Sequence, residues 1–192
     1  VASGDELGGS GISITSVDTA GNSTTVTAAG SVTIDTVAPT ATAIVTAISP
    51  DTGSLNTDFI TKTAAQTVSG TFTGTLNSGE KIQVSADGTT WVDATTSGSN
   101  WTSNSTVTLS GTGNLTVRTI DTAGNTTAGT GHSFTLDTTG PTATVAITAV
   151  STDTGATDYV TSDTTLTVSG TNGALVTGEK LQVSRSEEHT SE

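Results

Sequence analysis

The residues of this 192-residue chain best suited to chemistry are its carboxylates. Eighteen Asp and Glu stand against five Lys and Arg, and the acids recur in short runs with Asn, Gly and Thr: Asp18-Thr-Ala-Gly-Asn22, Asp51-Thr-Gly53, Asp58, Asp121-Thr-Ala-Gly-Asn125 and Asp137-Thr138. Calcium takes about six to eight oxygens from carboxylates, carbonyls and water, which loops of this composition supply. Catalysis has far less to draw on. His132 is the only histidine ahead of the last eight residues and no cysteine is present. A glycosidase would need its carboxylate pair to flank a groove with aromatic platforms. Three Phe, one Tyr and two Trp hardly build them. The chain reads as a non-enzyme.

What positions these acids is an internal repeat. Ile34-Asp35-Thr36-Val37-Ala38-Pro39-Thr40-Ala41 returns 102 residues later as Leu136-Asp137-Thr138-Thr139-Gly140-Pro141-Thr142-Ala143. The Asp51 and Asp153 runs, the two Asp-Thr-Ala-Gly-Asn runs, and Gly79-Glu-Lys-Ile-Gln-Val-Ser85 with Gly178-Glu-Lys-Leu-Gln-Val-Ser184 keep nearly the same register. A period of that size is an independent domain rather than a solenoid unit. The expected division is 1–37 as the end of one repeat, 38–139 as a complete repeat, 140–184 as the start of a third, and 185–192 as an unrelated tail.

That tail, Arg185-Ser-Glu-Glu-His-Thr-Ser-Glu192, breaks the repeat register. It resembles the in-frame translation of a sequencing-library adapter, and it is set aside from fold reasoning. Without its one Arg and three Glu the formal charge changes from −13 to −11. An acidic field of that strength disfavours nucleic acid and anionic membranes and favours cations. No stretch approaches a transmembrane span, and Val1-Ala-Ser-Gly-Asp5 has neither the charged start nor the apolar core of a signal peptide. With no cysteine, packing or metal must replace disulfides.

Short alternating runs rich in Thr and Val, separated by Gly, Asn, Asp and Ser, predict an all-β sandwich. Strands are expected near Thr42 to Ile48 (A), Gln66 to Phe72 (B), Glu80 to Ser85 (C), Trp91 to Ala94 (C′), Ser105 to Leu109 (E), Leu115 to Ile120 (F) and His132 to Leu136 (G). Seven strands in about a hundred residues is an immunoglobulin-like count, in Greek-key order. Val68 and Phe72, Ile82 and Val84, Val107 and Leu109, Leu115 and Val117, and Phe134 and Leu136 fall at period two and should face inward, with their Thr, Gln and Arg neighbours in water. Ile12, Ile14, Val32 and Ile34 supply strands F and G of the preceding repeat. Val145, Ile147, Leu166, Val168, Leu181 and Val183 supply A, B and C of the next.

In such a sandwich the A–B loop and the exit of strand G share one pole, and the F–G and B–C turns share the other. Two oxygen-rich clusters then form at successive joints. One joins Asp35 of the preceding repeat to Asp121, Asn125 and Glu80; the other gathers Asp51, Asp58 and Asp137 against the next copy. Asp and Asn also open turns by bonding their own backbone, so each has a turn role as its alternative. Gly124-Asn125 suits the F–G hairpin in either case. Ser85-Ala-Asp87-Gly88-Thr-Thr-Trp91 reads as a C–C′ turn with Trp91 packed on the core. Trp101 is either a second core or rim tryptophan or an exposed sugar-stacking platform.

Together, Asp-Thr-x-x-Pro-Thr, Asp-Thr-Gly with Asp58-Phe-Ile-Thr, Gly-Glu-Lys-x-Gln-Val-Ser, Asp-Gly-Thr-Thr-Trp and Asp-Thr-Ala-Gly-Asn resemble the bacterial immunoglobulin-like repeats of giant secreted adhesins and biofilm-associated proteins. The resemblance covers residues 10 to 184. It implies an extracellular, cell-surface stalk exported by type I secretion, with calcium at the joints stiffening the rod and neighbouring repeats as partners. Host or matrix glycans and proteins would be met by domains outside this segment. Asp35, Asp121, Asp51, Asp58 and Asp137 match the acidic positions, as do Asp18, Asp153 and Asp158 in the partial copies. Two alternatives are a carbohydrate-binding module of a secreted enzyme and a metal-free spacer.

A fragment of a sandwich leaves half a core exposed. Limited proteolysis of the full chain is therefore expected to trim both flanks and leave a resistant core of about 38 to 138. Equal resistance along all three segments would contradict this division.

Overall fold

A computed structural model describes residues 13–27 and 33–184, and every regular element among them is a β-strand. The chain divides into two units, meeting between Thr138 and Thr139. Ile12, Val32 and the tail lie outside the described residues.

The first unit opens with a hairpin of β1 (Ser13–Val17) and β2 (Ser23–Thr27), paired from Ser13↔Thr27 to Val17↔Ser23. Residues 33–41 are without regular structure. Ten strands follow: β3 (Thr42–Ser49), β4 (Ile60–Thr61), β5 (Ala65–Thr73), β6 (Lys81–Ser85), β7 (Val92–Ser97), β8 (Asn100–Ser103), β9 (Val107–Thr108), β10 (Thr112–Ile120), β11 (Thr126–Ala128) and β12 (His132–Leu136). They form one curled sheet in the order β3-β5-β8-β7-β6-β10-β12-β4, with β9 on β5 and β11 on β10. The curl brings the far ends together. Thr130, between β11 and β12, donates its N–H to Ala43 and accepts one from Val45, so β3 is bonded along both edges. The result is an immunoglobulin-like β-sandwich.

Alternation builds the core. Val68, Ile82, Val84, Val107, Leu109, Leu115, Val117 and Phe134 are all buried, with Phe72 and Leu136 partly buried against them. The outward half of the pattern needs correction. Gln66, Gln83, Thr61 and Thr119 are buried as well, each held by side-chain hydrogen bonds. The strand count also exceeds the expected seven. Trp101 lies in a separate strand, β8, reached through Gly98 at a φ of 59°, β4 and β11 are further additions, and the expected strand G is β12, with Gly129 and Gly131 between it and β11. A Cβ at Gly129 would lie 2.2 Å from the Ala43 carbonyl, and one at Gly131 2.0 Å from that of Leu115, so side chains are excluded where the edges meet.

The second unit contains β13 (Val145–Ser151) and β14 (Thr167–Asn172), antiparallel. Their register shift between Ile147 and Ala149 repeats the one between Val45 and Ala47 in the β3–β5 pair. Burial differs. Val145, Ile147, Leu181 and Val183 are 51–70% exposed, while their counterparts Ala43, Val45, Ile82 and Val84 are at most 3% exposed. Among the described residues this unit forms the expected A and B strands as β13 and β14, whereas Leu181 and Val183, expected in strand C, lie in a segment without regular structure.

At the centre of β5 a Cβ on Gly70 would meet the Ile44 carbonyl oxygen at 1.8 Å and Trp101 Cε2 at 2.9 Å. Gly70→Ala is therefore expected to destabilise the complete repeat by about 3 kcal/mol through overpacking. Gly140→Ala, with nothing within 4 Å of its Cβ, should stay within about 0.5 kcal/mol of the parent. Denaturant midpoints of the full chain measure both.

Candidate functional site at the joint between repeats

The turn between β10 and β11 is organised by one acid. Asp121 Oδ1 accepts the backbone N–H of Asn125 at 2.8 Å, and Oδ2 accepts its side-chain Nδ2 at 2.8 Å. The Asp121 N–H in turn reaches the Asn125 carbonyl, and Gly124 takes the positive φ of 96° that closes the turn. The preceding repeat builds the same clamp. Asp18 Oδ1 accepts the N–H groups of Ala20 and Asn22, and Oδ2 accepts Asn22 Nδ2 at 2.7 Å. Donation from the Asn side chain holds both Asp121 and Asp18 below the usual carboxylate range.

Asn125 Nδ2 carries two hydrogens, and its second bond crosses to the carbonyl oxygen of Asp35 at 3.1 Å. Two hydroxyls continue the contact along the incoming chain. Thr127 Oγ1 donates to the Pro39 carbonyl at 2.5 Å, and buried Thr119 Oγ1 donates to the Ala41 carbonyl at 2.8 Å. The structure thus unites Asp35, Asp121 and Asn125, but Asp35 joins through its main chain. Its carboxylate instead accepts the N–H of Val37. Glu80 binds the backbone and side chain of Asn77 within its own turn. Thr119 and Thr127 escaped the sequence reading, although hydroxyls recur 103 positions earlier at Ser16 and Thr24.

At the other pole, Asp51 and Asp58 shape the loop between β3 and β4. Asp51 Oδ2 accepts the N–H of Phe59, and Asp58 Oδ1 accepts that of Ile60, at 3.0 Å each. Between them Phe59 adopts a φ of 61°, unfavourable for a bulky L-residue. Asp153 and Asp158 hold Tyr159 at a φ of 65° in the same way. In both loops the acid's other oxygen, Oδ1 of Asp51 and of Asp153, is buried without a hydrogen-bond partner. Asp137 follows β12 and donates its N–H to the Thr61 carbonyl. No group of three or more His, Cys, Asp or Glu side chains gathers among the described residues.

Trp101 takes the core role of its two alternatives, and Trp91 departs from the core position expected of it. Trp101 is 1% exposed and its indole N–H is shared between the carbonyls of Ile44 and Thr71, which rules it out as a sugar platform. Trp91 is half-buried outside the core cluster, with the Arg118 guanidinium stacked 3.8 Å from its ring centroid. Arg118 is fixed there by two bonds to Gln83 Oε1, and Gln83 bonds Asp93. His132 lies in β12 with its ring stacked on Phe59, centroids 3.6 Å apart.

Residues 38–138 match the family described as bacterial Ig-like domain. That match spans more than half of the 192 residues, and the chain belongs to this family. Comparison with curated proteins gives no match. Among the described residues no helix is long and apolar enough to cross a membrane.

Several turn acids share one electrostatic consequence. Asp87, with N–H donors from Thr90 and Thr89, is held far below the usual range, and Asp163, with those of Thr165, is lowered as well. Because folding lowers these values, their contribution is fully present above the unfolded carboxylate value of about 3.9. It is lost as pH falls through the lower folded values. The melting midpoint is expected to decline on acidification below about pH 4. A midpoint that rose over that range, followed by circular dichroism, would contradict the arrangement.

Proposed function

We propose that this chain is a segment of an extracellular bacterial stalk, in which tandem Ig-like repeats space an adhesive region away from the cell surface and support adhesion or biofilm formation. The observation that carries the reading is the tie between Asp35, which leaves one repeat, and Asn125 in the turn of the next. A joint bonded in this way transmits direction from repeat to repeat, which a spacer on a flexible linker does not. The strongly acidic composition suits a long, soluble, self-repelling rod.

Calcium is the proposed stiffener of the joints. Its support is the buried, unpartnered Oδ1 of Asp51, repeated at Asp153. A buried acceptor recurring in two copies without a donor suits a cation. With no triad of acids among the described residues, the remaining oxygens would have to be backbone carbonyls or come from an adjoining repeat. A metal-free spacer is the second reading, favoured by the N–H donors that already occupy both oxygens of Asp121 and Asp18.

Small-angle scattering and melting of the full chain, with calcium and with chelator, separate the two. At calcium about 100-fold above its Kd, linkage stabilises by about 2.7 kcal/mol, a rise on the order of 10 °C for one repeat, together with a longer maximum dimension. Identical curves would leave the metal-free spacer.

A further inference from the structure

We infer that Asn125 is a metal-independent latch between repeats, and that its partner is the main-chain carbonyl at the exit of the preceding copy. The inference rests on the stalk reading above but not on calcium. Three side-chain donors on the β10–β11 hairpin engage three carbonyls of one incoming segment: Asn125 to Asp35, Thr127 to Pro39 and Thr119 to Ala41. The Thr bonds fall at or after Pro39 and seat the entering strand of the complete repeat. The Asn125 bond reaches furthest back, to the residue that closes the preceding repeat in the 102-residue register. It is the member of the set that crosses the joint.

Asp121 explains why an asparagine is needed. Both its oxygens accept from Asn125, one from the backbone and one from Nδ2, so the amide is fixed in plane and its second N–H is aimed at Asp35. An aspartate at position 125 would present an acceptor to two acceptors. A serine would be too short to serve both partners. Asp121 is thus a positioning residue, and the recurrent Asp-Thr-Ala-Gly-Asn run is a docking element for another copy of the same repeat. Asn22 has the same clamped geometry, with one N–H committed to Asp18 Oδ2. Asp137 takes the place of Asp35 at the exit of the complete repeat. Amide-to-carbonyl bonds do not depend on a cation, so a chelator should not release them.

The absence of cysteine allows clean double labelling of the full chain. Spin labels at Ile34→Cys, beside the tied carbonyl of Asp35, and at Thr96→Cys report how firmly the exit of the preceding copy is held, read with calcium and with chelator. The parent is expected to give one narrow distribution in both. Asn125→Ala and, at pH 7, Asn125→Asp should each broaden it at least about twofold, as for a freed linker, when read well below the melting midpoint of each variant. Asn125→Ala matching the parent in both conditions would overturn the latch. If the parent narrows only with calcium and Asn125→Ala follows it, the latch is wrong and calcium stiffening stands. If the parent is narrow in chelator and only the variants broaden, the latch stands and calcium is not what stiffens this joint.

Discussion

The structure depends on the burial of Trp101 over Gly70. With so few aromatic residues the repeat has little large apolar volume, and Trp101 is the bulkiest side chain in its interior. Its ring occupies the space that a side chain at position 70 would fill. Its indole N–H ties the carbonyls of Ile44 and Thr71, so one residue on β8 fixes the facing positions of β3 and β5. The path of β3 in turn determines where Ala41, Pro39 and Asp35 run, and hence which carbonyls meet Thr119, Thr127 and Asn125. Core and joint are one mechanical chain.

Hydroxyls and amides do much of the interior work that apolar groups do in richer cores. Gln66 is fully buried, with its Nε2 donating to the carbonyls of Thr63 and Pro50, and Thr61 Oγ1 also donates to Pro50. Ser103 Oγ accepts the N–H of Val68 in place of a ladder partner. Each such bond is modest in net terms, but a buried polar group left unpaired costs about 1–3 kcal/mol. Thr61, Ser103 and the Gln66 amide N–H groups are paired in this arrangement, while Gln66 Oε1 is left without a partner.

The inward positions were legible because alternation is local: Val68, Ile82, Val84, Leu115, Val117 and Phe134 each announce themselves within their own strand. Strand β8 was not. Asn100-Trp-Thr-Ser103 carries a single large apolar residue between a Gly turn and Ser-Asn-Ser, and its role is set by Gly70, thirty-one positions away. Thr119 and Thr127 looked like ordinary solvent-facing strand residues, since their partners lie 78 and 88 positions earlier. The acids sat where the repeat put them, at the ends of strands, and sequence alone left open whether such an Asp holds a cation or its own turn. In the structure Asp18, Asp58 and Asp121 accept turn N–H groups, while Asp51 and Asp153 each retain an unpartnered oxygen.

The proposed stalk role requires that direction be preserved from one repeat to the next, and the strongly acidic composition is compatible with it. The chain at Asp35 is held by the turn of the repeat that follows. Residual dipolar couplings of the backbone amides test this most directly. Amides of residues 33–38, the segment that Asn125 holds, are predicted to fit the same alignment tensor as those of β3 to β12. A separate, much weaker tensor for that segment would contradict the claim.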